Sequence, residues 1–120
     1  MKASIAGVVA LGGAIGSVAR YGVSTIQSPV AAFPYAIFLI NVSGGFLMGA
    51  ATAALALKFN VSSEVRAFLT TGILGGYTTF STFSLESAML IERHAYIIAA
   101  SYVIGSALLS IVALFCGLWL

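Results

Sequence analysis

This 120-residue chain contains long stretches without a charged residue, of lengths that can cross a lipid bilayer. They include residues 3–19, 34–57 and 95–120. A membrane-spanning helix needs about 20 predominantly apolar residues. Charged residues make up 7% of the chain, against about 25% in soluble globular proteins. The sequence therefore predicts an all-α integral membrane protein, and its net charge of +2 gives no reason to expect a nucleic-acid partner.

The ends of the apolar runs divide the chain into four predicted transmembrane helices in a single domain, residues 1–120. The first helix continues past Arg20 and ends before Gln27-Ser28-Pro29. Pro34 suits the first turn of the second helix. Ser62 is a candidate N-cap and Glu64 suits the positive end of the third helix. We expect helices at about 4–26, 34–57, 63–91 and 95–119, with a short turn at 92–94.

The third predicted helix is too long for one straight span and contains an unusual run, Gly75-Gly76-Tyr77-Thr78-Thr79-Phe80-Ser81-Thr82-Phe83. Two adjacent glycines weaken a helix because they lose the most backbone freedom when it forms. We therefore predict a break at residues 75–79. Backbone groups freed at membrane depth must be buried in protein, line a water-filled path or hold an ion.

Basic residues give almost no preference for one orientation in the membrane. With four spans, Lys2, Lys58 and Arg66 lie on one side and Arg20 and Arg93 on the other. Orientation normally follows the asymmetry of Lys and Arg between the two sides. The chain is therefore compatible with insertion in both orientations and with an antiparallel dual-topology homodimer, as inverted repeats build a site near the midplane. A single orientation with an accidental charge balance is equally compatible.

Three polar residues inside the predicted spans have more than one reading each. Arg20 either extends to the membrane interface or provides positive charge at a vestibule that attracts anions. Asn41 either hydrogen-bonds across helices or donates its amide to a passing anion. Glu86 is an interface-level residue, a partner of a nearby arginine, or a residue at a pore mouth. Small residues at 44, 45 and 49 favour close helix packing.

The aromatic and hydroxyl residues of the third helix suggest a lining for an anion. Phe80 and Phe83 share one helix face and would by default be packing residues. Ser81, Thr82 and Ser84 place hydroxyls beside the rings. Because the edge of an aromatic ring is electropositive, ring edges beside hydroxyl donors suit a small, strongly hydrated anion. Such binding is favourable enough for the anion to enter and weak enough for it to leave, as conduction requires.

The fourth helix carries a polar stripe and the chain's only cysteine. Tyr102, Ser106 and Ser110 follow each other at intervals of four residues, which suits either helix–helix hydrogen bonds or pore lining. Cys116 has apolar neighbours and is expected to be a buried, inert thiol. His94 has no cysteine or carboxylate cluster with which to form a metal site. Without a catalytic motif, the chain is not expected to be an enzyme.

The run at 75–83 resembles the third-helix signature of the Fluc (CrcB) family of fluoride channels. Residues 12–21 and the segment Asn41-Val42-Ser43-Gly44 resemble that family's first- and second-helix motifs, whereas the fourth helix matches only loosely. The resemblance implies an antiparallel homodimer with two pores. It also implies passive export of fluoride, with exclusion of chloride, through the cell membrane of a microbe.

The resemblance also implies roles for individual residues. Arg20 and Glu86 would lie at the vestibule and the pore mouth, and the backbone carbonyls of Gly75 and Thr78 would hold a central sodium ion. With the stripe on the fourth helix included, the expected fluoride pathway comprises Asn41, Phe80, Ser81, Thr82, Phe83, Ser84, Tyr102, Ser106 and Ser110.

Two other functions fit the size and charge balance. A small dual-topology, proton-coupled multidrug exporter needs an acidic residue within the membrane, and the first, second and fourth predicted helices have none. A structural membrane subunit without transport activity would use its polar residues only to join helices.

Overall fold

The computed structural model describes residues 1–57 and 59–120. Within these residues the chain is helical and contains no β-strand, so the predicted all-α class is confirmed. The elements in chain order are α1 (Ala3–Ser24), α2 (Tyr35–Leu57), α3 (Ser63–Ala67), a π-helical segment (Phe68–Leu74), α4 (Gly75–Tyr77), α5 (Phe80–Glu92) and α6 (Tyr96–Leu118).

Three continuous helices of the described chain, α1, α2 and α6, are long and apolar enough to cross a membrane. Ser24 ends α1 two residues before the predicted end. The side chain of Gln27 then fixes the connection to α2. Its Nε2 donates to the carbonyl of Phe33 (3.1 Å) and its Oε1 accepts from the backbone N–H of Ala36 (2.9 Å).

The third span runs from α3 to α5 and is bent. Only Thr78 (φ −81°, ψ 157°) and Thr79 (φ −150°, ψ 122°) leave the helical region. Gly75 remains helical (φ −64°, ψ −36°), and Gly76 lies inside α4. The prediction of a bend is therefore confirmed, but its assignment to the two glycines is wrong.

Gly76 instead permits close contact between helices. A Cβ on Gly76 would lie 2.7 Å from the carbonyl oxygen of Gly13 in α1. Two turns earlier in the third span, the carbonyl oxygen of Phe68 would lie 2.6 Å from a Cβ on Gly12. Gly16 directly contacts the backbone of Ile73. Small residues thus bring α1 against the π-helical segment and α4, as they do in other membrane helix pairs.

A second close pair is formed by α2 and α6. A Cβ on Gly45 would lie 2.7 Å from the carbonyl oxygen of Ser110. Gly49 contacts the backbone of Leu114, and Gly117 contacts the backbone of Phe46. The expected packing role of the glycines in the second span is confirmed, and the seam that they form lies within one chain.

Large apolar side chains lie mainly on the outside of the molecule. A small core gathers around Tyr102 and Ile40, both fully buried, together with Ile37, Leu90 and Ala99. Cys116 is exposed, so the expectation of a buried thiol is wrong. The apolar neighbours of a residue in a membrane helix do not show whether protein or lipid surrounds it.

Candidate functional site

Asn41 of α2 holds the extended segment of the third span through two hydrogen bonds. Its Nδ2 donates to the carbonyl of Thr79 (3.1 Å), and its Oδ1 accepts from the backbone N–H of Thr79 (2.9 Å). These bonds satisfy backbone groups that the break would otherwise leave free. Asn41 therefore forms the interhelical hydrogen bonds of its first reading. One of its two amide hydrogens remains for another acceptor.

Ser43 and Gly44, which follow Asn41 in α2, also contact the residues at the break. The hydroxyls of Ser43 and Tyr77 are 3.0 Å apart. Gly44 contacts the methyl group of Thr78, so a larger residue at 44 would push the break away from α2. The Asn41–Gly44 segment is thus a docking surface for residues 77–79.

Thr79 is the N-cap of α5 and also forms both hydrogen bonds with Asn41. Its Oγ1 accepts a hydrogen bond from the backbone N–H of Thr82 (3.2 Å), which is the usual role of an N-cap threonine. Thr79 is not among the site residues predicted from the sequence. A threonine three residues before the N–H that it caps was the available signal, but it lay among four hydroxyl residues in five positions.

A cleft of about 410 Å³ lies between α2, the break, α5 and α6. The structure brings six of the predicted site residues to it: Asn41, Thr78, Phe80, Phe83, Ser106 and Ser110. Residues that the sequence analysis did not assign to a pathway complete the wall: Gly44, Gly45, Met48, Thr79, Ala107, Ile111 and Leu114.

The polar stripe of α6 supplies buried hydroxyls that have no protein partner. The hydroxyls of Tyr102, Ser106 and Ser110 are buried and form no hydrogen bond within the described chain. Buried polar groups are nearly always paired, because an unpaired one costs free energy. The helix–helix hydrogen bonds that were one reading of this stripe are not formed among the residues that the structure describes. Ser106, which is 5% exposed and lines the cleft, is left with a donor for a bound species.

Three aromatic rings run from the break into the core. The ring centroids of Phe80 and Phe83 are 5.5 Å apart, and those of Phe83 and Tyr102 are 5.2 Å apart. Phe80 is 79% exposed, whereas Tyr102 is fully buried. One end of the ring series is therefore open at the surface of the single chain.

Several predicted site residues do not line the cleft in a single chain. The Ser81 hydroxyl lies 3.3 Å from that of Thr79, and Ser84 donates to the carbonyl of Phe80 (2.9 Å). Thr82 and Glu86 are half-buried on α5. Arg20 is also half-buried, and its Nε donates to the carbonyl of Gly76 (3.2 Å).

The break frees two backbone carbonyls that were predicted cation ligands. In a continuous helix, Gly75 would accept from the N–H of Thr79, and Thr78 from that of Thr82. The first N–H instead donates to Asn41 and the second to the Thr79 hydroxyl. Neither carbonyl accepts a hydrogen bond from another described residue. The donor set fits a hard cation, which prefers oxygen ligands.

Comparison with known proteins identifies the chain's relatives. Residues 7–118 match the family described as CrcB-like protein, Camphor Resistance (CrcB). A protein of Caulobacter vibrioides (strain NA1000 / CB15N) named Fluoride-specific ion channel FluC is 52% identical over 114 residues, covering 92% of this chain and 90% of the relative. A protein of the same name from Rhodopseudomonas palustris (strain BisB5) is 50% identical over 113 residues, covering 92% and 91%. This chain therefore belongs to the CrcB family.

Proposed function

We propose that the chain forms a passive, fluoride-selective ion channel that lets fluoride leave the cytoplasm of a microbe through its cell membrane. The names of its relatives support fluoride as the permeant ion. The family is one of ion channels, so the prediction that the chain is not an enzyme is confirmed. The apolar helices α1, α2 and α6 support a location in a membrane.

The unpartnered hydroxyls of α6 are the observation that carries the proposal. Ser106 and Ser110 line the cleft, and Tyr102 lies on the same face of the helix. Hydroxyl donors, together with the spare amide hydrogen of Asn41, replace the water that fluoride sheds. Because none of the described residues that line this cleft is cationic, the anion is held without being trapped.

The remaining pathway residues are proposed to act in an antiparallel homodimer with two pores. Phe80 is largely exposed in the single chain, and Ser81 and Ser84 are also exposed. A second chain in the opposite orientation would cover them and bring them, with Thr82, beside the path. The edges of the Phe80 and Phe83 rings would then face fluoride. In a path narrowed by the second chain, chloride, being larger, would be excluded.

A sodium ion is proposed to stabilise the centre of the dimer. The carbonyls of Gly75 and Thr78 have no hydrogen-bond partner among the described residues, and two antiparallel copies would bring four such oxygens to one axis. The chemistry that sodium supplies is neutralisation of these carbonyl dipoles at membrane depth. Arg20 is proposed to lie near the vestibule and Glu86 near the pore mouth.

Efflux from liposomes that contain only this protein tests the proposal. The vesicles hold either fluoride or chloride, and a potassium ionophore balances the charge. Fast loss of fluoride with retention of chloride is the expected result. Loss of both anions would contradict the selectivity.

Two controls accompany the efflux assay. Chemical cross-linking in the same vesicles shows whether the protein is assembled, so that absence of flux from assembled protein counts against the channel. Uptake of a lipophilic cation driven by a proton gradient would instead favour the multidrug exporter.

A further inference from the structure

We infer that Arg20 positions the helix break by holding the carbonyl of Gly76. Its Nε lies 3.2 Å from that oxygen, and this carbonyl, not a carboxylate, is its hydrogen-bond partner in the described chain. The consequence for ion binding rests on the proposed function. The hydrogen bond itself is a property of the fold. This positioning is additional to any attraction that the positive charge exerts on anions.

Gly76 needs a donor from outside its own helix. In a continuous helix its carbonyl would accept from the N–H of Phe80, four residues on. The extended residues Thr78 and Thr79 separate α4 from α5, and no backbone N–H of the described residues reaches the Gly76 oxygen across the break. A cationic side chain near the C-terminal end of a helix both satisfies such a carbonyl and suits the helix dipole.

The face of α1 that contacts the third span carries Arg20 to this position. Gly12, Gly16 and Arg20 follow one another at intervals of four residues and therefore share one face. Gly12 and Gly16 contact the backbone of the π-helical segment. Gly16 also lies close to the backbone nitrogen of Tyr77. The guanidinium then reaches the last turn before the break. Glycine contacts fix the height of α1 against the third span, and Arg20 fixes the end of α4.

Arg20 thereby controls the two proposed sodium ligands without touching the ion. The Gly76 carbonyl lies between those of Gly75 and Thr78 in the chain. On the other side of the break, Asn41 holds Thr79. If Arg20 releases Gly76, the α1 side of the break keeps its glycine contacts but loses its hydrogen bond, so we expect the carbonyls and the rings that follow them to lose their alignment.

Substitutions that keep or remove the charge separate positioning from electrostatic attraction. Arg20→Lys keeps the charge but loses the planar, multidonor guanidinium. Arg20→Gln loses the charge as well. The matched control is Arg93→Gln, which removes one positive charge from an exposed position that the four-span topology places on the same side of the membrane.

Fluoride efflux of the purified full chain is measured at ionic strengths of about 0.1 M and about 1 M, where the Debye length falls from roughly 10 Å to roughly 3 Å. Positioning predicts that both Arg20 variants lose about tenfold or more in flux at both salt concentrations. Arg93→Gln stays near wild type. If Arg20→Lys behaves like wild type and the loss in Arg20→Gln disappears at high salt, Arg20 acts only through its charge and the inference is wrong.

Sodium-dependent thermal stabilisation in detergent gives a second readout. We expect both Arg20 variants to need about tenfold more sodium than wild type for half of the stabilisation. A lower unfolding temperature with an unchanged sodium requirement would show a merely structural role and overturn the positioning of the carbonyls. If wild type itself shows no sodium dependence, the sodium proposal fails. The role of Arg20 is then decided by the flux comparison alone. If Arg20→Gln fails to assemble, the comparison of Arg20→Lys with wild type is sufficient.

Discussion

The two hydrogen bonds between Asn41 and the backbone of Thr79 permit a quantitative prediction. Thr79 is 8% exposed, so little of its surface is open to water that could replace the partner that Asn41 provides. Asn41→Leu keeps a side chain of similar size but removes both the donor and the acceptor. The backbone N–H and C=O of Thr79 are then buried and unpaired in the variant.

The expected loss of stability follows from the cost of those two groups. Each buried, unpaired polar group costs about 1–3 kcal/mol, so the pair costs about 2–6 kcal/mol. The loss is measured by reversible unfolding in mixed detergent micelles, with helix content as the signal. We also expect lower fluoride efflux, because α5 and its phenylalanines begin directly after Thr79.

Ser43→Ala, two residues further along α2, is the matched control. It removes two hydrogen bonds of the Ser43 hydroxyl, one with the hydroxyl of Tyr77 and one to the carbonyl of Ile40, and should cost about 1–3 kcal/mol. If Asn41→Leu loses no more stability than Ser43→Ala, the two hydrogen bonds of Asn41 do not stabilise the extended residues at the break. Asn41→Asp keeps the acceptor for the Thr79 N–H but turns the donor into a carboxylate facing a carbonyl. It should therefore be impaired in both stability and flux.

Three further predictions concern the cleft, the helix contacts and the rings. Ser106→Ala removes a buried hydroxyl that has no partner in the described chain. The free energy of unfolding should therefore stay equal or rise by about 1 kcal/mol, while fluoride flux falls. A loss of stability would mean that the hydroxyl has a protein partner. Gly16→Ala would place a methyl group against the backbone of Ile73 and should cost about 1–3 kcal/mol. Gly7→Ala in the same helix meets nothing within 4 Å and should gain about 0.5–1 kcal/mol; equal unfolding temperatures for these two would refute the contact argument. The double substitution Phe80→Ile, Phe83→Ile should sharply reduce fluoride flux while cross-linking still detects the dimer, and wild-type flux would exclude the ring edges.

The bend in the third span illustrates how far the sequence leads. Its length and its Gly-Gly pair correctly indicated that one straight helix was improbable. The pair nevertheless stays helical, and the chain leaves the helix at Thr78 and Thr79. Gly76 serves contact with α1, and the side chain that stabilises the extended residues, Asn41, is 38 positions away from Thr79. Local propensity did not reveal this partner.

The candidate site was predictable to a similar degree. The stripe of hydroxyls on α6 follows directly from four-residue spacing, and its residues do share a face. Whether those hydroxyls pair with other helices depends on what lies opposite them, and no described residue of the chain pairs with Tyr102, Ser106 or Ser110. For Cys116 the same uncertainty led to a wrong expectation, because apolar neighbours in sequence occur both in protein cores and on lipid-facing surfaces.

The sequence by itself determined the class of protein, the approximate extent of its apolar helices and the residue types available to an anion. Those properties depend on composition and on spacing along one helix, which the order of residues states directly. Only the tertiary structure decided where the third span opens and which groups hold it open. The hydrogen bonds that satisfy the break come from α1 and α2. Their geometry therefore arises only when glycine contacts bring these helices against the third span.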